Sequence, residues 1–72
     1  MNNLTVRQQA IMEAIRAIVA EGLGPGPAEI ARRTGLSVTT TRTYLDVLVV
    51  KGLIEIEDGA VGNRYTLRLV KP

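Results

Sequence analysis

A chain of 72 residues with no Cys and no His can form no disulfide or thiolate metal site, and it lacks both the commonest zinc ligand and the commonest general base. That composition leaves no classical nucleophile–base pair, so the chain is expected to be no enzyme and to carry no metal or small-molecule cofactor. The net charge of +2, with a pI near 9.5, says less than its placement. Between Gly26 and Lys51 four basic residues (Arg32, Arg33, Arg42, Lys51) stand against two acidic ones (Glu29, Asp46), so the positive excess falls mid-chain, where a polyanion would be met.

The length fits one domain over residues 1–72, and a domain of this size buries only about 60% of its unfolded-chain surface. Hydrophobic residues make up 46% of the chain but aromatic ones only 3%, so the core must be built from Ile, Leu, Val and Ala. No apolar run approaches the roughly 18–20 residues of a membrane span, and no signal-peptide pattern opens the chain. A cytoplasmic protein without membrane contact is expected.

Thr5 followed by Gln8 is a capping box that starts a helix. Behind it Ala10, Ile11, Ala14, Ile15, Ile18 and Val19 recur at three- and four-residue spacing, which predicts a helix from about Val6 to about Ala20, ending near Gly22. Gly22 to Pro27 holds three Gly and two Pro in six residues and reads as a loop with room for a single bridge of extended structure. Pro27 suits the first position of a second helix, and Glu29 then faces that helix's positive end. This helix reaches about Thr34, with Ile30 and Ala31 inward. Gly35 suits a left-handed stop and Ser37 caps the third helix, about 38–51, which Gly52 closes. Its inward stripe is Val38, Thr41, Leu45, Leu48 and Val49. Thr39, Arg42, Thr43, Asp46 and Val50 lie on other faces, with Thr40 and Val47 toward the back.

Leu53 to Glu57 alternates apolar and polar, as a half-buried strand does, and Arg64 to Val70 alternates again. With a loop over 58–63, pairing Ile56 with Tyr65 puts Ile54 opposite Leu67 and Glu57 opposite Arg64. The class is α+β: three helices and a C-terminal β-hairpin.

The run from Ala28 to Leu48 contains a helix of about two turns, a glycine turn, an apolar anchor at Leu36, a Ser cap and a second helix. That is the layout of a helix-turn-helix. The first helix braces the second, whose N-terminal end is left to enter a major groove about 12 Å wide.

Three segments carry a resemblance: Leu4-Thr5-Val6-Arg7-Gln8-Gln9, Ala28-Glu29-Ile30-Ala31-Arg32-Arg33 and Lys51-Gly52-Leu53-Ile54-Glu55-Ile56. The chain resembles the winged helix-turn-helix transcriptional regulators, and closely the N-terminal DNA-binding domain of LexA repressors. Its turn Gly35-Leu36-Ser37 and the run through Leu45 and Leu48 also match the broader MarR-like pattern. These 72 residues do not include the self-cleaving half of a LexA repressor, and the start of the third helix is one residue shorter, so the operator does not carry over. The resemblance implies a three-helix winged helix-turn-helix that binds double-stranded DNA, with base contacts from Ser37, Thr39, Thr40, Arg42 and Thr43. It also implies wing contacts from Asn63 and Arg64.

Chemistry agrees with that assignment. Arg42 can make a bidentate contact to guanine, and threonine hydroxyls and methyls suit base edges. Arg33, Lys51 and the Tyr44 phenol can reach phosphates, which position a protein without reading sequence. One copy offers few contacts, so useful affinity calls for a homodimer on adjacent half-sites. The expected function is a sequence-specific regulator, a repressor of bacterial or phage type, acting by occupancy.

Plainer readings stand beside these. The threonines can be a solvated face, although four in one helix weaken it. Arg64 can pair with Glu57, Arg32 and Arg33 can be solvated, and Tyr44 can cap the core with its ring. Val47 and Val50, with Met12 or Leu23, can form an association patch. The rival function is a winged-helix adaptor for another protein. Single-strand or RNA binding is disfavoured by the lack of aromatic stacking platforms.

Overall fold

The structure is a computed structural model that describes residues 4–61 and 64–70. Three helices, α1 (Val6–Ala20), α2 (Pro27–Thr34) and α3 (Val38–Val50), precede an antiparallel pair, β1 (Ile54–Val61) and β2 (Arg64–Leu69). This is the α+β winged arrangement expected from the sequence, and the helix limits agree with the predicted ones to within a residue.

The helix ends form where the side chains dictate. The Thr5 hydroxyl accepts the Gln8 N–H at 3.1 Å, and the Gln8 side-chain carbonyl accepts the Thr5 N–H at 3.0 Å, satisfying two orphan donors reciprocally. Gly35 ends α2 at φ 75°, its N–H donating to the Ala31 carbonyl at 2.9 Å. A side chain there would meet no atom within 4 Å, so the demand for glycine comes from the backbone angle and not from space. Ser37, two residues on, caps α3 by accepting the Thr40 N–H.

The core lies where the three helices meet the base of the hairpin. Ile11, Ile15 and Ile18 of α1, Ile30 of α2, Leu45 and Leu48 of α3, Ile54 of β1 and Leu67 of β2 are all buried in one cluster. Among the described residues its fully buried members are mostly branched aliphatics, with no aromatic side chain. The α1 stripe is rotated from its expected position: Met12 and Gln8 are buried, whereas Ala10 and Val19 are exposed. The Gln8 carbonyl is bound at the cap, so its stem can turn inward at little polar cost. Met12 is therefore core and cannot belong to an association patch.

The Gly22–Pro27 loop does carry one extended contact, for the Leu67 N–H donates to the Pro25 carbonyl at 2.8 Å. This ties the loop before α2 to the inner edge of the wing. The hairpin register differs from expectation by two residues: Ile54 opposes Leu69 and Ile56 opposes Leu67. An even shift preserves which face each side chain takes, so Ile54 and Leu67 remain inward. The six-residue loop is corrected as well. β1 continues to Val61, which pairs with Arg64, and the surplus is absorbed as an irregularity between Glu57 and Val61. Glu57 consequently lies opposite Thr66 and not Arg64 in the register, and among the described side chains a cross-strand ion pair joins Glu55 and Arg68 at 3.3 Å. Among the described residues no helix is long and apolar enough to cross a membrane.

Candidate nucleic-acid interface

Two packed helices and a glycine turn set α3 against the body of the molecule. Its inner side sinks Thr41, Leu45 and Leu48 into the core, with Val49 half-buried. Val38, expected on that inner stripe, is 39% exposed at the first helical position. The opposite side presents Thr39, Thr43, Asp46 and Val50 to solvent, four residues at the three- and four-residue spacing that aligns one helix face.

The hydroxyls at the front of α3 differ in what they do. Ser37 Oγ accepts the Thr40 N–H at 3.1 Å and donates to Thr40 Oγ1 at 2.9 Å. Thr43 Oγ1 donates to the Thr39 carbonyl at 3.2 Å. Thr39 is exposed and Thr40 is half-buried. Arg42 is half-buried, and Tyr44 is half-buried with its ring packed on the core cluster, the plainer of its two expected roles. Lys51, exposed, caps the C-terminal end of α3.

The guanidinium groups of α2 serve its packing. Arg33 Nε donates to Glu29 at 2.7 Å, and its two terminal nitrogens reach the two carboxylate oxygens of Glu21 at 2.7 and 2.6 Å. Arg32 Nε also donates to Glu29, at 3.0 Å, and Arg32 Nη2 forms a second bond to the same carboxylate. Hydrogen bonds from Arg32 and then Arg33 hold the Glu29 carboxyl down at about 2, and the Arg33 hydrogen bond lowers Glu21. Both guanidiniums are raised by the same carboxylates. Glu29 at the start of α2 and the two arginines at its end also suit the helix dipole. The Glu29 contacts follow from i,i+3 and i,i+4 spacing. The Glu21 contact spans twelve residues and leaves no local sequence signal. It brings a carboxylate from outside the Gly26–Lys51 window, so the positive excess moves off α2 and toward α3, where Arg42 and Lys51 stand against Asp46.

This is a helix-turn-helix whose second helix turns one side to solvent, followed by a two-stranded wing. The family model described as LexA DNA binding domain matches residues 1–61. The chain belongs to that family. As a LexA-type domain it is a DNA-binding module of transcription regulators, built on a winged helix. The matched span takes in all three helices and β1, so it includes every α3 residue discussed above.

Of the residues expected at the interface, the LexA-type fold gathers Ser37, Thr39, Thr40, Arg42 and Thr43 within the first two turns of α3, with Lys51 at its far end. Arg33 is held by the carboxylates of Glu21 and Glu29. Asn63 lies outside the described residues, as does the side chain of Arg64; the Arg64 backbone pairs with Val61 at the head of β2. Val47 and Val50 line an open, mostly apolar hollow with Asp46 and Lys51, and Val50 is 87% exposed.

Proposed function

We propose that this domain is a sequence-specific, repressor-type regulator of transcription that lays α3 in the major groove of double-stranded DNA. The observation that carries the reading is the division of α3: an apolar inner side anchored in the core, and an outer side at its N-terminal end occupied by short polar side chains. Short side chains let a helix backbone approach base edges, and the fixed inner side holds its orientation. In this reading Arg42 supplies a guanine contact, worth about 1–3 kcal/mol of discrimination. Thr39, Thr40 and Thr43 meet bases. Ser37, at the helix start, joins them in meeting a base. Lys51, Tyr44 and the wing residues Asn63 and Arg64 hold the backbone, and Arg33 contributes through its packing of α2. Two copies on half-sites about one helical turn apart supply the affinity one copy lacks. Occupancy of the site is then the regulatory act.

Selection of duplexes from a random pool, followed by titration over a salt series, tests this. Binding should weaken steeply as salt rises, and Arg42→Ala should relax preference at one base pair while weakening the others little. Indifference of the selected pool to Arg42, or absence of salt-dependent duplex binding, overturns it. The exposed Val50 and the hollow beside Val47 favour a second reading, an adaptor that docks a protein on the C-terminal half of α3. In that case Val50→Asp abolishes partner binding and duplex binding is never seen.

A further inference from the structure

The front of α3 sorts its hydroxyls into two groups. Thr43 is exposed, and its single hydroxyl proton is committed to the Thr39 carbonyl at 3.2 Å. A threonine hydroxyl has one proton, so Thr43 offers no donor to a base while that bond stands. Back-bonding to the preceding turn folds the oxygen against the helix's own backbone. What the side chain has left to present is its γ-methyl group and the lone pairs of an oxygen already turned inward. Ser37 is likewise committed, donating to Thr40 Oγ1 while it accepts the Thr40 N–H. Thr39, on the same face one turn before Thr43 and exposed, forms no comparable bond among the described residues.

We infer that Thr43 is a specificity-determining residue that reads the C5 methyl group of thymine by apolar contact, leaving hydrogen-bond reading to its neighbours. The inference rests on the major-groove reading proposed above and names the base chemistry that α3 selects there. In that groove thymine is the base that carries a methyl group, beside an O4 acceptor. A side chain with a free donor would seek guanine O6 and N7 or thymine O4. One with its donor occupied and its oxygen turned toward the helix backbone is left chiefly its methyl group, and thymine supplies the apolar partner for it. Asp46, one turn further along the same face, is acceptor-only when ionised and does not compete for the methyl.

The test replaces each thymine of a selected duplex in turn with deoxyuridine, which removes the C5 methyl and nothing else. Binding is measured for the wild-type chain, Thr43→Val and Thr43→Ser. One deoxyuridine position should weaken wild-type binding about fourfold, the expectation for burying a single methyl group. Thr43→Val, which keeps a methyl and discards the hydroxyl, should retain both the affinity and the deoxyuridine penalty. Thr43→Ser, which keeps the hydroxyl and discards the methyl, should lose about the same fourfold and become indifferent at that position. Helix content by circular dichroism checks that all three fold alike. The inference is overturned if no single deoxyuridine is felt, if Thr43→Ser keeps the penalty, or if Thr43→Val loses the affinity. A wild-type chain that binds no selected duplex in a salt-dependent way overturns the groove reading itself, and this inference with it; binding that ignores C5 methyl groups overturns this inference alone.

Discussion

Thr41 and Thr43 stand two residues apart on α3 and meet opposite surroundings. Thr41 is fully buried on the inner side of α3, and its hydroxyl has no hydrogen-bond partner among the described residues. Thr43 is exposed, and its hydroxyl is satisfied by the Thr39 carbonyl. A helix face selected only for stability would reverse the two, placing an aliphatic residue inside and leaving the hydroxyl to water. α3 is thus a compromise between a side that fixes it and a side that is kept short and polar.

The largest effects belong to the fixing side. Leu48→Ala should cost about 2–5 kcal/mol in urea unfolding, because Leu48 is fully buried at the junction of the helices and the hairpin. A loss as small as that of an exposed position would mean that α3 is not anchored as described. Next comes the turn that aims α3. Gly35→Ala forces an alanine to φ 75° and should cost about 1–2 kcal/mol, with no contribution from a clash. A third change sharpens the comparison directly. Thr41→Val replaces the unpartnered buried hydroxyl with a methyl of similar shape and should stabilise the fold by about 1 kcal/mol, whereas Thr43→Val should fall within about 0.5 kcal/mol of zero. Equal effects of the two substitutions would remove the distinction between the faces.

The smallest effect concerns the acidic brace between α1 and α2. Glu29 titrates at about 2 in the folded chain against an ordinary value of 4.5, and Glu21 is lowered in the same direction. Carboxyls depressed by folding add stability above their unfolded value and lose it as pH falls through the folded one. Thermal stability should therefore decline between about pH 4.5 and about pH 2, modestly because the groups are solvent-screened. Arg33→Gln should flatten the decline; an unchanged slope would show that these ion pairs contribute nothing.

Local signals made most of the fold readable from the residues. The capping box at Thr5 and Gln8, the Gly35 stop and the Ser37 cap each act within four residues, and each appears where it was expected. What escaped depends on contacts distant in sequence. The Arg33–Glu21 pair joins two helices through a loop, and the rotation of α1 that buries Met12 answers to packing from the other elements. The hairpin register was missed by two residues because alternation fixes the face of a strand but not its offset. At the interface, residue types and spacing put Thr39 and Thr43 on the exposed face of α3, but they put Val38 inward, where it is exposed, and did not show that Thr40 and Arg42 are half-buried. The internal bonds of Ser37 and Thr43 depend on side-chain rotamers that no sequence pattern encodes.

Amide chemical shifts recorded while a selected duplex is titrated into the labelled chain report whether the outer front of α3 meets the duplex. The largest changes should fall on Ser37 to Thr43, while the exposed residues of α1, such as Glu13 and Arg16, stay still. Shifts concentrated on α1, or around Val47 and Val50 with the front of α3 silent, would contradict that contact.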